Sequence, residues 1–412
     1  MSDAVKLRDA PGVPRHPCLT AALLASFSGV LLLFGVLYAR PASAQLLELP
    51  RAAPPPAPLD PRLPTGAFRA ASPRPRVRGA PACSFHRPVC IQAESSVPSE
   101  LTLALLGALE RAYETLILVL RQPAPWPDRD LGGSSALDLY VTQEKNGSPP
   151  ELLALHDEPL LSAFDEAPGY CVLNLAESVT PEQLERWAAL CVGELSLLRV
   201  DAGETPHTRR ALANHYWQLL GRPTVDDFRI IDDAQAHPER ALARRDVDAS
   251  SAGAALVFEY LEQLRSNAGP GVLSTSLVAL AASKTSTAQP LWNNEPDWLD
   301  VLRASFREDR PSIAGAWADF AVSRAFLGSR DDGRHLPSLT WLGDFGRVRF
   351  DWVLKYSSLP RRVPATRPIE PSGSIYLWLA LDELALGAVV GFQATWEPPV
   401  AFKWSLVRVD KD

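Results

Sequence analysis

Between Trp187 and Leu198 the chain reads WAALCVGELSLL, a stretch that is apolar almost all the way round a helix. Such a helix has no face for water and belongs at the centre of a fold, with other elements packed around it. Thr180-Pro181-Glu182 marks its start, with Thr as N-cap and Pro in the first turn, and it is predicted to run to about Val200. Glu194 is the one ionisable carboxylate within the apolar stretch. Burying it is costly unless it is paired, hydrogen-bonded or protonated. Either Glu194 reaches the surface or a basic partner, or it is a carboxylate kept from an ancestral active site. His207, Arg209, Arg210 and His215 on the next helix are the candidate partners.

Around this helix the pattern alternates before it becomes helical. Pro98 to Arg121 carries Leu101, Leu105, Leu106, Leu109, Ala112 and Leu116 on one stripe, and Pro123, Pro125 and Pro127 end it. ALDLYVT (Ala136 to Thr142) and GYCVLNL (Gly169 to Leu175) read as strands. After Val200, helices are predicted over His207 to Leu220, Val225 to Ala234, Ala252 to Ser266, Gly271 to Lys284, Glu295 to Phe306 and Ile313 to Leu327. The loop Gly328 to Gly333 closes that region. Arg347 to Tyr356, Ser374 to Asp382, Ala388 to Trp396 and Ala401 to Val409 then read as strands. The predicted class is α+β: a lobe of helix, short sheet and a mostly helical region over 83–330, followed by an antiparallel, sandwich-like β domain over 336–412.

The N-terminus reads as an export signal over residues 1–44. Lys6, Arg8, Arg15 and His16 precede an apolar run from Leu19 to Tyr38, and Ala42-Ser43-Ala44 supplies the small residues of a cleavage site after Ala44. An uncleaved anchor is the alternative, because the run is long enough to span a bilayer. A stiff, Pro-rich linker without core-forming residues is expected over 45–82. No second run of transmembrane length follows, so the protein is expected to be secreted or periplasmic. The net charge is −7, with no basic stripe to suit nucleic acid. Four cysteines remain after Cys18: Cys83, Cys90, Cys171 and Cys191. In an oxidising compartment an even number reads as disulfides. Pairing Cys83 with Cys90 and Cys171 with Cys191 is the natural arrangement, but three connectivities are open. Zinc at Cys83, His86 and Cys90 is the weaker alternative, since no second pair completes a site.

The order helix, strand, strand, apolar helix, second helix resembles gluzincin-type metallopeptidases of the thermolysin-like clan. The resemblance runs from about Pro98 to Leu327 and touches Pro125-Trp126-Pro127-Asp128, Gly132-Gly133 and Gly169-Tyr170. In that family a His-Glu-x-x-His helix supplies two zinc ligands and the general base, and a glutamate on a following helix supplies the third ligand. The resemblance implies that Gly193 and Leu197 stand where the histidines would be, with Glu194 between them and Arg210 at the third-ligand position. Glycine and leucine have no donor atom, and arginine repels a cation. The degenerate site therefore implies no zinc hydrolysis, no cofactor, and a Glu194–Arg210 ion pair in the place of the metal.

Other constellations are weaker. No Gly-x-Ser-x-Gly elbow occurs, Gly132-Gly133-Ser134-Ser135 reads as a turn, and Gly269-Pro270-Gly271 lacks the Lys-Ser/Thr of a phosphate loop. His207 and His215 are expected on a surface face. Tyr376, Trp378, Trp396 and Trp404 are expected in a sheet core rather than on a sugar-binding face. The leading expectation is a catalytically inactive, metallopeptidase-like protein with a binding or scaffolding role toward an unknown protein or glycan at the cell envelope. An active hydrolase with an unrecognised site, and a carbohydrate- or surface-binding protein acting through its C-terminal strands, are the alternatives.

Overall fold

The computed structural model describes residues 74–409, apart from 129–130, 144–150, 158–163, 177, 222, 243–248, 266–267, 283–295, 307–312, 382–386, 388 and 396–401. The expected signal with Ala44, most of the linker, and Trp396 lie outside the described residues.

The fold is mixed α+β, built on one five-stranded sheet. The sheet comprises β1 (Ala82–Cys83), β2 (Val89–Ala93), β3 (Leu137–Gln143), β4 (Glu151–His156) and β5 (Gly169–Leu175), in the order β1-β2-β3-β5-β4. The central strands β2, β3 and β5 are parallel, while β1 and β4 run antiparallel at the two edges. A parallel pair needs a long crossover. Helix α1 (Ser99–Tyr113), continued by a π-helical stretch over Glu114–Val119, provides it between β2 and β3. Strand β5 occupies the residues read from sequence, and most of it is buried, as a central parallel strand should be.

Helix α2 (Pro181–Val200) follows β5 and is buried over nearly its whole length. Its capping box is complete: the Gln183 backbone N–H donates to Thr180 Oγ1 at 3.3 Å, and the Thr180 N–H donates to Gln183 Oε1 at 3.1 Å. Leu190, Val192, Leu195, Leu197 and Leu198 are each at most 1% exposed. The all-round apolar sequence thus does what its composition requires. Helix α3 (Pro206–Leu219) packs on α2. The helical region continues through α4 (Val225–Ala236), α5 (Ala249–Gly253), α6 (Ala255–Arg265), α7 (Val272–Ala281), α8 (Trp298–Ser305) and α9 (Ile313–Ala325).

Both natural disulfides are present. Cys83 and Cys90 face each other across β1 and β2 with Cα atoms 4.1 Å apart, so this bridge closes a hairpin. Cys171 on β5 and Cys191 on α2 have Cα atoms 6.0 Å apart, and their bridge joins the sheet to the central helix. With its cysteines so joined, the Cys83-x-x-His86 alternative loses its thiolates. Among the described residues, no helix is long and apolar enough to cross a membrane.

Three expectations need correction. The antiparallel C-terminal sandwich is replaced, among the described residues, by two short parallel strands, β6 (Trp352–Lys355) and β7 (Leu377–Ala380). The connection between them is long and carries Pro360, Pro364, Pro368 and Pro371, which suits a crossover and not a hairpin. The described parts of the two last expected strands form no strand, and Val389, Trp404 and Leu406 are exposed. The linker expectation also fails at its end. The Arg74 side chain is only 8% exposed and bonds to carboxylates of the sheet lobe.

The bridge between β5 and α2 closes a 20-residue separation. In the chain-entropy model a loop of this size is worth about 3 kcal/mol. Urea denaturation of the Cys171→Ala, Cys191→Ala protein is expected to show a loss of that order; an unchanged midpoint and slope would contradict it.

Candidate functional site

Gly193, Glu194 and Arg210 meet where α2 crosses α3. Glu194 sits in the middle of α2 and is 2% exposed. A carboxylate held there needs a partner, and α3 delivers one: Arg210 Nε donates to Glu194 Oε1. The same guanidinium reaches the sheet, with Nη2 donating to the backbone carbonyl of Leu152 on β4 at 2.6 Å. One side chain therefore ties α3 to both the central helix and the edge strand. Of the four candidate partners, Arg210 is the one that bonds to Glu194.

The two helices touch at Gly193. A Cβ there would lie 3.2 Å from Ala213 Cβ and 3.3 Å from Ala213 Cα, and 3.4 Å from a ring carbon of Tyr216. Glycine is what lets α2 and α3 come this close. Leu197 is fully buried in the hydrophobic core. As metal donors these residues do not fit: glycine and leucine offer no ligand atom, and the guanidinium brings a positive charge. A Cβ at position 193 would already press on Ala213. Among the described residues, no group of three or more His, Cys, Asp or Glu side chains is placed to hold a metal ion.

The rest of the crossing is also polar and buried. Arg186 on α2 donates to Asp227 Oδ1 on α4 at 3.0 Å and to Asn214 Oδ1 on α3 at 2.6 Å. Asp227 Oδ2 in turn accepts from Trp217 Nε1 at 2.9 Å and from the Thr224 N–H at 2.6 Å. Arg209, 4% exposed, donates to the carbonyls of Ala202 and Glu204. Burial lowers its pKa, against the opposing pull of Glu194, Asp201 and Glu204.

His207 and His215 are not on a surface face; both are fully buried. His215 Nδ1 lies 3.0 Å from Glu259 Oε2 on α6, so this imidazole serves the packing of α3 on α6. Among the described residues, the aromatic side chains Tyr376 and Trp378 make separate contacts. Tyr376 donates to the Ala321 carbonyl on α9 at 2.8 Å, Trp378 packs on Phe350 with ring centroids 5.4 Å apart, and Trp404 is 57% exposed.

The chain matches no family model, no curated protein and no solved structure. The geometry of the site has to carry the functional reading.

Asp201, at the C-terminal end of α2, gives a pH signature. Its Oδ1 accepts from the N–H groups of Gly203 at 3.0 Å and Glu204 at 3.1 Å. Burial, reinforced by the charges of Glu204 and Asp165, raises its pKa well above the usual value. A carboxyl raised on folding binds its proton more tightly in the native state. Stability therefore falls as pH climbs above the unfolded value of about 3.9, until the folded group ionises. Asp201→Asn keeps the accepting oxygen and removes the charge. The variant is expected to be at least as stable as the parent at neutral pH, with a shallower decline from acid to neutral in urea denaturation. A variant less stable than the parent at neutral pH would contradict this.

Proposed function

We propose that this protein is a metallopeptidase-like scaffold without catalytic metal, exported to the cell envelope, where it binds a protein or glycan and does not hydrolyse it. The observation that carries the reading is the Glu194–Arg210 pair at a helix crossing closed by Gly193 against Ala213. In the resemblance to gluzincin-type enzymes, those positions belong to the zinc ligands and the general base. Here an arginine supplies the positive charge that a metal would otherwise bring to the buried glutamate. That neutralises the carboxylate and leaves no electrophile to activate water.

The element order supports the resemblance: βαβ unit, edge strand, central strand, apolar helix, second helix. Two disulfides in the sheet lobe support export to an oxidising compartment. Purified mature protein, analysed for metals and incubated with unfolded casein, is expected to contain far less than one zinc per chain and to give no chelator-sensitive cleavage. Stoichiometric zinc, or hydrolysis lost on chelation, would overturn the reading.

A further inference from the structure

Away from the helix crossing, three aspartates converge on one arginine. Asp138 lies on β3, Asp157 directly follows β4, and Asp128 belongs to the segment before β3. They are 0%, 0% and 2% exposed. Arg74 Nη1 is 2.7 Å from Asp138 Oδ2, and Nη2 is 2.5 Å from Asp128 Oδ2 and 2.7 Å from Asp157 Oδ2. Its guanidinium also lies over the Tyr170 ring, 4.6 Å from the centroid. Tyr140 braces that ring edge-on at 5.5 Å.

Among the described residues, the side chains around Arg74 come from the sheet lobe. Gln92 on β2 donates to Asp138 Oδ1 at 3.4 Å and to the Gly132 carbonyl at 2.8 Å. Gly132 leaves the space for Asp138: a Cβ there would lie 1.5 Å from Asp138 Oδ2. Arg74 alone comes from outside, at the end of the Pro-rich stretch. The pocket around it keeps unused capacity. Asp128 Oδ1, Asp157 Oδ1 and the Tyr170 hydroxyl are buried and have no hydrogen-bond partner among the described residues. Three carboxylates face one cation, and burial lifts Asp128 to about 7 with its acidic neighbours adding to the rise.

We propose that Asp128, Asp138, Asp157 and Tyr170 form a guanidinium-binding site, held in cis by Arg74 and able to take an arginine side chain from another chain when that segment withdraws. The geometry selects guanidinium over ammonium. Its planar fork serves carboxylates on two nitrogens at once, while its face lies on an aromatic ring. A lysine ammonium, a compact and strongly hydrated point charge, has no planar fork to match this arrangement.

The test is thermal unfolding of full-length mature Arg74→Ala protein, at mildly alkaline pH, titrated with millimolar methylguanidinium chloride. Methylammonium chloride serves as the matched salt and the parent protein as the filled control. A ligand that binds only the folded state raises the midpoint in proportion to its occupancy. The expected result is a lowered midpoint that methylguanidinium restores in a saturable way, with no response to methylammonium and none in the parent. Adding Asp138→Asn to the variant must abolish the response. Equal responses to both cations, no response to either, or a response that survives Asp138→Asn would overturn the proposal. Should Arg74→Ala fail to accumulate as folded protein, refolding with each cation decides. Recovery of soluble monomer with methylguanidinium alone supports the site, and recovery with neither or with both overturns it.

Discussion

A single carboxylate inside an apolar helix sets the terms for this fold. Helix α2 must be buried because its sequence has no polar face, and its burial takes Glu194 out of water. An isolated charge in that position would cost several kcal/mol. The structure meets the demand with Arg210, and through Arg210 the demand fixes more than one pair. Because the guanidinium also caps the Leu152 carbonyl, the crossing of α2 and α3 is registered to edge strand β4. Gly193 permits the close approach that brings the guanidinium within reach.

A second link holds the same helix close by, on the same face. The Cys171–Cys191 bridge attaches α2 to the central strand β5, one helical turn from Glu194. Sheet, central helix and second helix are therefore tied by a covalent bond and a charge pair one helical turn apart. A hydrolytic site needs an open coordination position or an exposed nucleophile at such a place. Here the space is taken by helix contact and by arginine, and the proposed binding role rests on that geometry.

How much of this was legible in the sequence depends on whether local pattern or tertiary placement decided each part. Helix α2 and strand β5 could be read because both are buried on all sides and say so in their own residues. That Glu194 needs a partner could be read, since a buried acid demands one, but the next helix offered four candidates, and Arg210 was singled out only by the metallopeptidase resemblance. Strand β4 gave no signal: Glu-Leu-Leu-Ala-Leu-His has no β-branched residue and favours helix, so edge pairing with β5 overrides its propensity. Arg74 was hidden for a different reason. A Pro- and Arg-rich stretch reads as solvated linker, and nothing local announces that its guanidinium will enter a pocket built from residues far along the chain. His207 and His215 were placed on the surface for the same reason. A histidine looks exposed until the helices that cover it are known.

The account rests on Glu194 and Arg210 acting as one unit, and a double-mutant cycle measures that directly. Glu194→Gln, Arg210→Met and the double variant would be compared by urea denaturation. Each single change leaves a buried or half-buried group without its partner, whereas the double change removes both. The account predicts a coupling energy of roughly 1–3 kcal/mol, with the double variant more stable than the sum of the single losses implies. Additive losses, within about 0.5 kcal/mol, would contradict it.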